Sequence, residues 1–292
     1  MSDDYGQLLD ATIQHLQDLR SRGVRHVAVS PETLLALSKP APSSGTGFQP
    51  VNRRFETSQT ETVTATPITI SQPPVPDLSP VTRHSSPEKA TAFAALRERS
   101  LACMKCPHLA SSRKNVVFGV GNIDAQLMFV GEAPGADEDE LAEPFVGKAG
   151  QLLTKIIQAT GLSRADVYIA NILKCRPDTP GEASGNRKPT PEEMQTCIPY
   201  LHEQIDLIRP KVLVALGGTA MEGLLNKTGI MKLRGNWHTY RGIPLMPTYH
   251  PAFLLRNQAM SEKRKVWEDM LQVMEKLGMP ISEKQRNYFL KG

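Results

Sequence analysis

The sequence predicts a three-layer α/β/α sandwich around a mainly parallel central sheet, preceded by a helical and disordered N-terminal extension. Apolar runs of strand length at residues 127–130, 167–172, 211–216 and 243–247 alternate with helical patterns near 150–160, 191–208, 219–226 and 262–277. Alternation at these lengths is the pattern of helices layered on a parallel sheet. The 292 residues leave ample chain for a sizeable core, and no internal repeat divides it.

In chain order, residues 1–38 predict a short helical extension. Leu8, Leu9, Ile13, Leu16 and Leu19 approximate helical spacing, and Ser30 and Pro31 suit the start of a second helix. Such an apolar stripe would suit a protein partner. Residues 39–86 shift to Pro, Ser and Thr, with nine prolines from Pro40 to Pro87, and predict a disordered linker. The folded domain is expected over 87–279, opening on a helix that begins at Ser86-Pro87-Glu88, with 280–292 as a C-terminal tail.

The first strand candidate, Leu127-Met128-Phe129-Val130, stops abruptly at Gly131-Glu132-Ala133-Pro134-Gly135. Glu132 and Glu138 then lie just past its C-terminal end, where open α/β sheets place ligands, and Phe145 could supply a planar face. Leu152, Leu153, Ile156 and Ile157 give the next helix one apolar side, and Gly161 suits its C-terminal cap. Thr190, Pro191 and Glu193 form a capping-box start for the helix whose stripe runs from Met194 through Cys197, Leu201 and Ile205 to Ile208.

A net charge of +4 and a pI near 8.8 permit contact with a polyanion without demanding it. The start lacks a basic region followed by an apolar core, and no apolar run approaches bilayer-spanning length. A cytoplasmic, reducing setting is therefore expected, in which the four cysteines need an explanation other than disulfides. Cys103 and Cys106 form a Cys-x-x-Cys pair, with Cys175 and Cys197 far downstream. Four thiolates would satisfy a tetrahedral zinc or a 4Fe-4S cluster. Ligands dispersed along the chain fit the cluster better than a compact zinc ribbon.

Asn171 ends the second strand candidate, and its amide could read the edge of a planar base or simply cap a turn. His250, directly before Pro251, is held extended or in a turn, with an apolar tip through Leu254 to Arg256 that could be core or a wedge entering DNA. Lys174, Arg176, Arg187, Lys188, Lys232, Arg234, Arg241 and the run 263–265 supply basic groups around this edge, suited to phosphate contacts.

Together, Gly131-Glu132-Ala133-Pro134-Gly135, Pro144-Phe145-Val146-Gly147, Asn171-Ile172-Leu173-Lys174-Cys175-Arg176-Pro177, Gly185-Asn186-Arg187-Lys188-Pro189 and His250-Pro251-Ala252-Phe253-Leu254-Leu255 resemble the family 4 uracil-DNA glycosylases over residues 89 to about 279. The resemblance implies a monofunctional DNA repair hydrolase that flips uracil from single- or double-stranded DNA and cleaves its N-glycosidic bond, acting as a monomer. It implies a structural 4Fe-4S cluster on Cys103, Cys106, Cys175 and Cys197. By position, Glu132 and His250 would be catalytic, with His250 donating to the uracil O2. Phe145 would stack on the base, Asn171 would read its edge, Gly131 and Ala133 would contact it through backbone, and Glu138 would stand against a thymine methyl. Arg176, Arg187, Lys188, Leu254 and Arg256 would meet DNA. Two departures stand out. The segment 177–184 is longer than in that family, and it lacks the histidine of a relative that captures DNA covalently, so hydrolysis rather than capture is expected. A non-catalytic iron-sulfur DNA-binding or partner-recruiting protein is the alternative.

Overall fold

The structure, a computed structural model, describes residues 86–179 and 182–290. The helical extension expected over 1–38, and the linker of 39–86 up to Ser86, lie outside the described residues.

The strands are β1 (Val120–Gly121), β2 (Leu127–Gly131), β3 (Tyr168–Asn171), β4 (Asp178–Thr179), β5 (Glu182–Asn186), β6 (Val212–Leu216), β7 (His238–Tyr240) and β8 (Ile243–Thr248). Six of them form one sheet in the order β1-β3-β2-β6-β8-β7, while β4 and β5 pair separately as a small antiparallel ribbon. The four inner strands run parallel, and the short edge strands β1 and β7 run antiparallel to their neighbours. The sheet is therefore mainly parallel, as its apolar runs predict.

The main helices are α1 (Pro87–Leu101), α2 (Pro107–Ser112), α3 (Ala136–Leu141), α4 (Lys148–Ala159), α5 (Pro191–Ile208), α6 (Gly218–Leu225), α7 (Ile230–Leu233), α8 (Pro251–Arg256), α9 (Met260–Lys276) and α10 (Glu283–Arg286). The period-2 alternation of strand side chains divides the core into two layers. Leu127, Phe129, Val212, Val214 and Met246 pack with Leu153 and Ile157 of α4 and with Trp267, Met270 and Val273 of α9. Met128, Val130, Leu213, Ala215 and Leu245 pack on the opposite face with Phe93 and Leu96 of α1, Leu201 and Ile205 of α5, and Met221 of α6. Each such buried large side chain contributes about 1.5–3 kcal/mol, so both faces of the sheet need their helices.

Helix α5 starts as its sequence predicts. The Thr190 side chain accepts from the Glu193 amide, and the Glu193 carboxylate accepts from the Thr190 amide. The longer 177–184 segment forms most of the β4–β5 ribbon rather than an open loop. The fold also runs past the boundary expected at 279. Trp267 Nε1 donates to the Gln285 carbonyl at 2.5 Å, and Gln285 Nε2 donates to the Ala159 carbonyl at 2.9 Å, so α10 is packed on α9 and α4.

The chain leaves β2 for β3 on one side and later crosses to β6 on the other. Strand order thus reverses between β2 and β6, and the crevice beyond the carboxyl ends of the strands at such a point is a natural ligand site.

Candidate active site

A cleft of about 400 Å3 opens at that reversal. Its walls include Glu132 and Ala133 after β2, Glu138 on α3, Phe145, Asn171 at the end of β3, Asn186 at the end of the ribbon with Arg187 beyond it, and His250 and Arg256 at the two ends of α8. The structure thus brings residues from five separate stretches of chain to one place.

Parallel pairing sets Gly131 opposite Asn171. A Cβ on Gly131 would fall 2.4 Å from Asn171 Oδ1 and 2.5 Å from Phe145 Cζ, so only glycine lets the amide and the ring approach the strand end this closely. Asn171 is 2 % exposed, and its Oδ1 is one of three buried side-chain polar atoms without a hydrogen-bond partner among the described residues. A buried acceptor left unmade is costly and calls for a donor.

Phe145 takes a left-handed backbone, φ 56°, that a bulky residue adopts only when its surroundings impose it. They do so from three sides. The Glu138 carboxylate accepts from the amides of Gly135, Val146 and Gly147 at 2.9–3.0 Å, closing α3's first turn onto the loop that follows Phe145. Arg164 donates to the Phe145 and Pro144 carbonyls at 3.1 and 2.8 Å. Gly150 on α4 admits the Phe145 carbonyl where a methyl would sit 1.8 Å away. Glu138, expected to face a thymine methyl, therefore lines the cleft with its oxygens already taken up by the turn.

His250 is the N-cap of α8, a short helix where a loop tip was expected, and its Nδ1 accepts from the Ala252 amide at 3.1 Å. That bond leaves Nε2 to carry the ring proton. Burial, helped by the nearby Arg256 charge, pushes the His250 pKa down to about 4, so the ring is neutral near pH 7. Its centroid lies 5.6 Å from that of Phe145.

Burial pushes the Glu132 carboxyl above the usual range, a hydrogen bond from Thr219 and the Lys188 charge oppose this, and Glu222 reinforces it. Lys188 is paired with Glu222 at 2.5 Å. Thr219 was not singled out in the sequence, although its place three residues beyond the last residue of β6 was the available signal. Arg164 carried none, being a lone arginine in a loop.

The expected DNA contacts are only partly laid out as the sequence suggested. Leu254 is 4 % exposed and packs with Tyr249 and Val266, because the short helix turns it inward. Leu255, 39 % exposed, is the side chain that faces out. Lys174 is buried as well. Arg187 directs both terminal nitrogens at Glu193, at 2.9 and 2.6 Å. Burial raises the Glu193 carboxyl, but bonds from Arg187, the Thr190 amide and His108 prevail and hold it at about 2. Arg176 donates to Asn186 Oδ1 at 2.8 Å and to the Gly185 carbonyl at 2.7 Å, steadying the ribbon that walls the cleft. Arg234 and Arg241 are paired with Asp269 and Asp206.

Away from the cleft, Cys103, Cys106, Cys175 and Cys197 line a single small cavity with Leu109, Arg113 and Leu173. Arg113 donates to Cys175 Sγ at 3.0 Å and to the Cys103 carbonyl at 2.7 Å. Burial pushes the Cys106 and Cys175 thiols up, and Cys197 up to about 12. Among the described residues no group of three or more His, Cys, Asp or Glu side chains is set to hold a single metal ion. No helix of the described residues is long and apolar enough to cross a membrane.

Comparison with known proteins agrees with this geometry. The chain is 46% identical over 178 residues to a type-4 uracil-DNA glycosylase of Thermotoga maritima, covering 59% of this chain and 88% of that protein. It is 39% identical over 207 residues to the type-4 uracil-DNA glycosylase of Sulfurisphaera tokodaii, 68% of this chain and 90% of that one. A type-5 uracil-DNA glycosylase of Pyrobaculum aerophilum is more distant, at 29% over 187 residues, 53% of this chain and 80% of the other. The family model described as the Uracil DNA glycosylase superfamily matches residues 118–271, from β1 into α9, and holds every residue of the cleft. On its fold, its cleft and these matches, the chain belongs to the uracil-DNA glycosylase superfamily and within it to the type-4 family.

Proposed function

We propose that the chain draws uracil out of DNA into this cleft and hydrolyses its N-glycosidic bond, leaving an abasic site. It is a DNA repair hydrolase acting on N-glycosyl bonds. The observation that carries the reading is the buried, unpartnered Asn171 Oδ1 beside the Phe145 ring and the neutral His250. Uracil presents an N3–H donor flanked by two carbonyl acceptors. Asn171 can accept from N3–H through Oδ1 and donate to O4 through its amide nitrogen. Cytosine, with a bare N3 and an exocyclic amino group, would meet a donor with a donor and an acceptor with an acceptor, an arrangement that costs it binding energy and so discriminates in favour of uracil. Phe145 stacks on the ring, and stacking with polar contacts offsets the few kcal/mol that extrusion costs. The backbone at Gly131, at the end of β2, and at Ala133, in the cleft wall, would contact the base.

Bond cleavage places positive charge on the sugar and negative charge on the departing base. A neutral His250 with its proton on Nε2 donates to O2 as the negative charge grows there, and it needs no proton transfer to do so. Glu132, after β2, supplies the opposing carboxylate to the sugar or to the attacking water. Leu255 and Arg256, outward from α8, meet the DNA beside the extruded nucleotide in place of the buried Leu254. Arg176, Arg187 and Lys188 act mainly through the ribbon and rim that their bonds hold in place.

Cys103, Cys106, Cys175 and Cys197 would hold a 4Fe-4S cluster, which supplies a structural cross-link between the α1–α2 turn, the chain after β3, and α5. The donor set fits: four sulfurs around one otherwise largely apolar cavity suit a cluster, and thiols spread around a cavity suit it better than a single tetrahedral zinc. The N-terminal extension would tether a protein partner. The deciding experiment is incubation of the full chain with uracil-containing single- and double-stranded oligonucleotides, followed by alkali. Scission at uracil is the expected result, and intact strands in both would overturn the reading.

A further inference from the structure

We propose that Lys174 is a positioning residue for Asn171: its ammonium fixes the peptide on which the base-reading amide is mounted. This rests on the assignment of Asn171 as the reader of uracil. Lys174 is 1 % exposed, and its Nζ donates to the Asn171 carbonyl at 2.9 Å and to Gln204 Oε1 at 2.7 Å. Gln204 is fully buried on α5 and donates in turn to the Phe118 carbonyl at 2.9 Å and to the Tyr168 hydroxyl at 3.0 Å. Tyr168 opens the strand that Asn171 closes. The ammonium thus ties both ends of β3 to α5 through one bridging amide. Its backbone is fixed as well, with the Lys174 amide donating to Cys197 Sγ at 3.3 Å and its carbonyl accepting from the Val117 amide at 2.7 Å.

Stability alone does not account for a lysine here. A buried cation carries a large desolvation penalty, and Lys174 is 1 % exposed. Apolar residues of similar volume commonly match or exceed a buried polar group in stability. What a fully satisfied buried network adds is a single geometry. The geometry specified here is that of the Asn171 peptide, whose side-chain oxygen must meet the base without a partner of its own.

The test is a double-mutant cycle on the full chain, read by excision of uracil from a single-stranded oligonucleotide and by inhibition with free uracil. Lys174→Met is expected to lower kcat/KM and weaken free-uracil binding by about tenfold, the scale of a lost hydrogen bond involving a charged group. In an Asn171→Ala background the same change should cost less than about twofold, because its effect runs through the amide already removed. Lys174→Arg, which keeps a cation and donors, should recover part of the loss. Should Lys174→Met not accumulate as folded protein, Gln204→Met, which removes the bridge, is expected to show the same non-additivity with Asn171→Ala. Losses that multiply in the double variant, or wild-type uracil affinity in Lys174→Met, would overturn the proposal. A wild-type chain inactive on uracil would instead refute the reading of Asn171 itself, and this proposal with it.

Discussion

Acid titration of His250 tests the chemistry of the cleft most directly, because catalysis by a neutral donor requires a ring that resists protonation. The partly buried ring lies beside Phe145 with the Ala252 amide donating to Nδ1, and desolvation, helped by the Arg256 charge, brings its pKa down to about 4. Against an ordinary value of about 6.5, and at about 1.4 kcal/mol per pH unit, the folded site favours the neutral ring by about 3 kcal/mol. The sign of the linked stability follows. Above pH 6.5 the ring is neutral in both folded and unfolded chains and contributes no pH dependence. Between 6.5 and 4 the unfolded chain takes up a proton that the folded one refuses, so stability falls as the pH drops and levels off below 4. Nitrogen-15 NMR of histidine-labelled protein, with His250 assigned by difference from His250→Ala, should show a largely neutral, Nε2-protonated ring down to about pH 5. The His250→Ala protein should excise uracil more than tenfold more slowly, the scale of a lost transition-state donor. A His250 resonance that titrates near 6.5, or a ring protonated on Nδ1 at neutral pH, would refute this account of the donor.

Three further outcomes are expected. The acid limb of kcat/KM should reflect Glu132 and lie above the ordinary glutamate value of 4.5, moving up in Thr219→Val, which removes the opposing hydrogen bond, and down in Glu222→Gln; a limb indifferent to both would remove Glu132 from the rate. Leu254→Ala should lower unfolding stability by about 2–5 kcal/mol as a core truncation, whereas Leu255→Ala should leave the melting transition in place and slow excision more on duplex than on single-stranded uracil DNA. Cys175→Ala should abolish broad visible absorbance in purified protein and lower thermal stability, and a colourless wild type containing stoichiometric zinc would replace the cluster with a zinc site.

Much of the sheet was legible because its four inner strands are continuous apolar runs, a pattern imposed by helices on both faces. The edge strands β1 and β7, two and three residues long, carry too few side chains for any periodicity to register. Helix α5 announced itself through Thr190 and Glu193, whereas α8 did not, since His250-Pro251 reads equally as a turn and the helix's six residues, Pro251–Arg256, complete fewer than two turns. Residues such as Glu132 and Asn171, which line the cleft, were legible by their positions at strand ends; the partners that hold them were not. Leu254 and Leu255 are chemically identical, and only the phase of a short helix decides which is core. Lys174 and Arg176 look alike as surface cations, and only the packing of α5, which brings Gln204 over the strand, separates a buried ammonium from a ribbon brace.

The position of Phe145 shows why these partners matter to the chemistry. A stacking ring that could swing freely would lose rotamer and backbone freedom on each binding event, and that loss would offset part of the stacking energy. Here the strained backbone at Phe145 is held before any base arrives. Glu138 grips the amides on its C-terminal side, Arg164 grips the carbonyls at and before it, and Gly150 leaves room for the carbonyl that the turn pushes toward α4. The strain is met by the fold rather than by the substrate. The carboxylate expected from sequence to stand against a thymine methyl thus holds in one place the ring proposed to stack on the base.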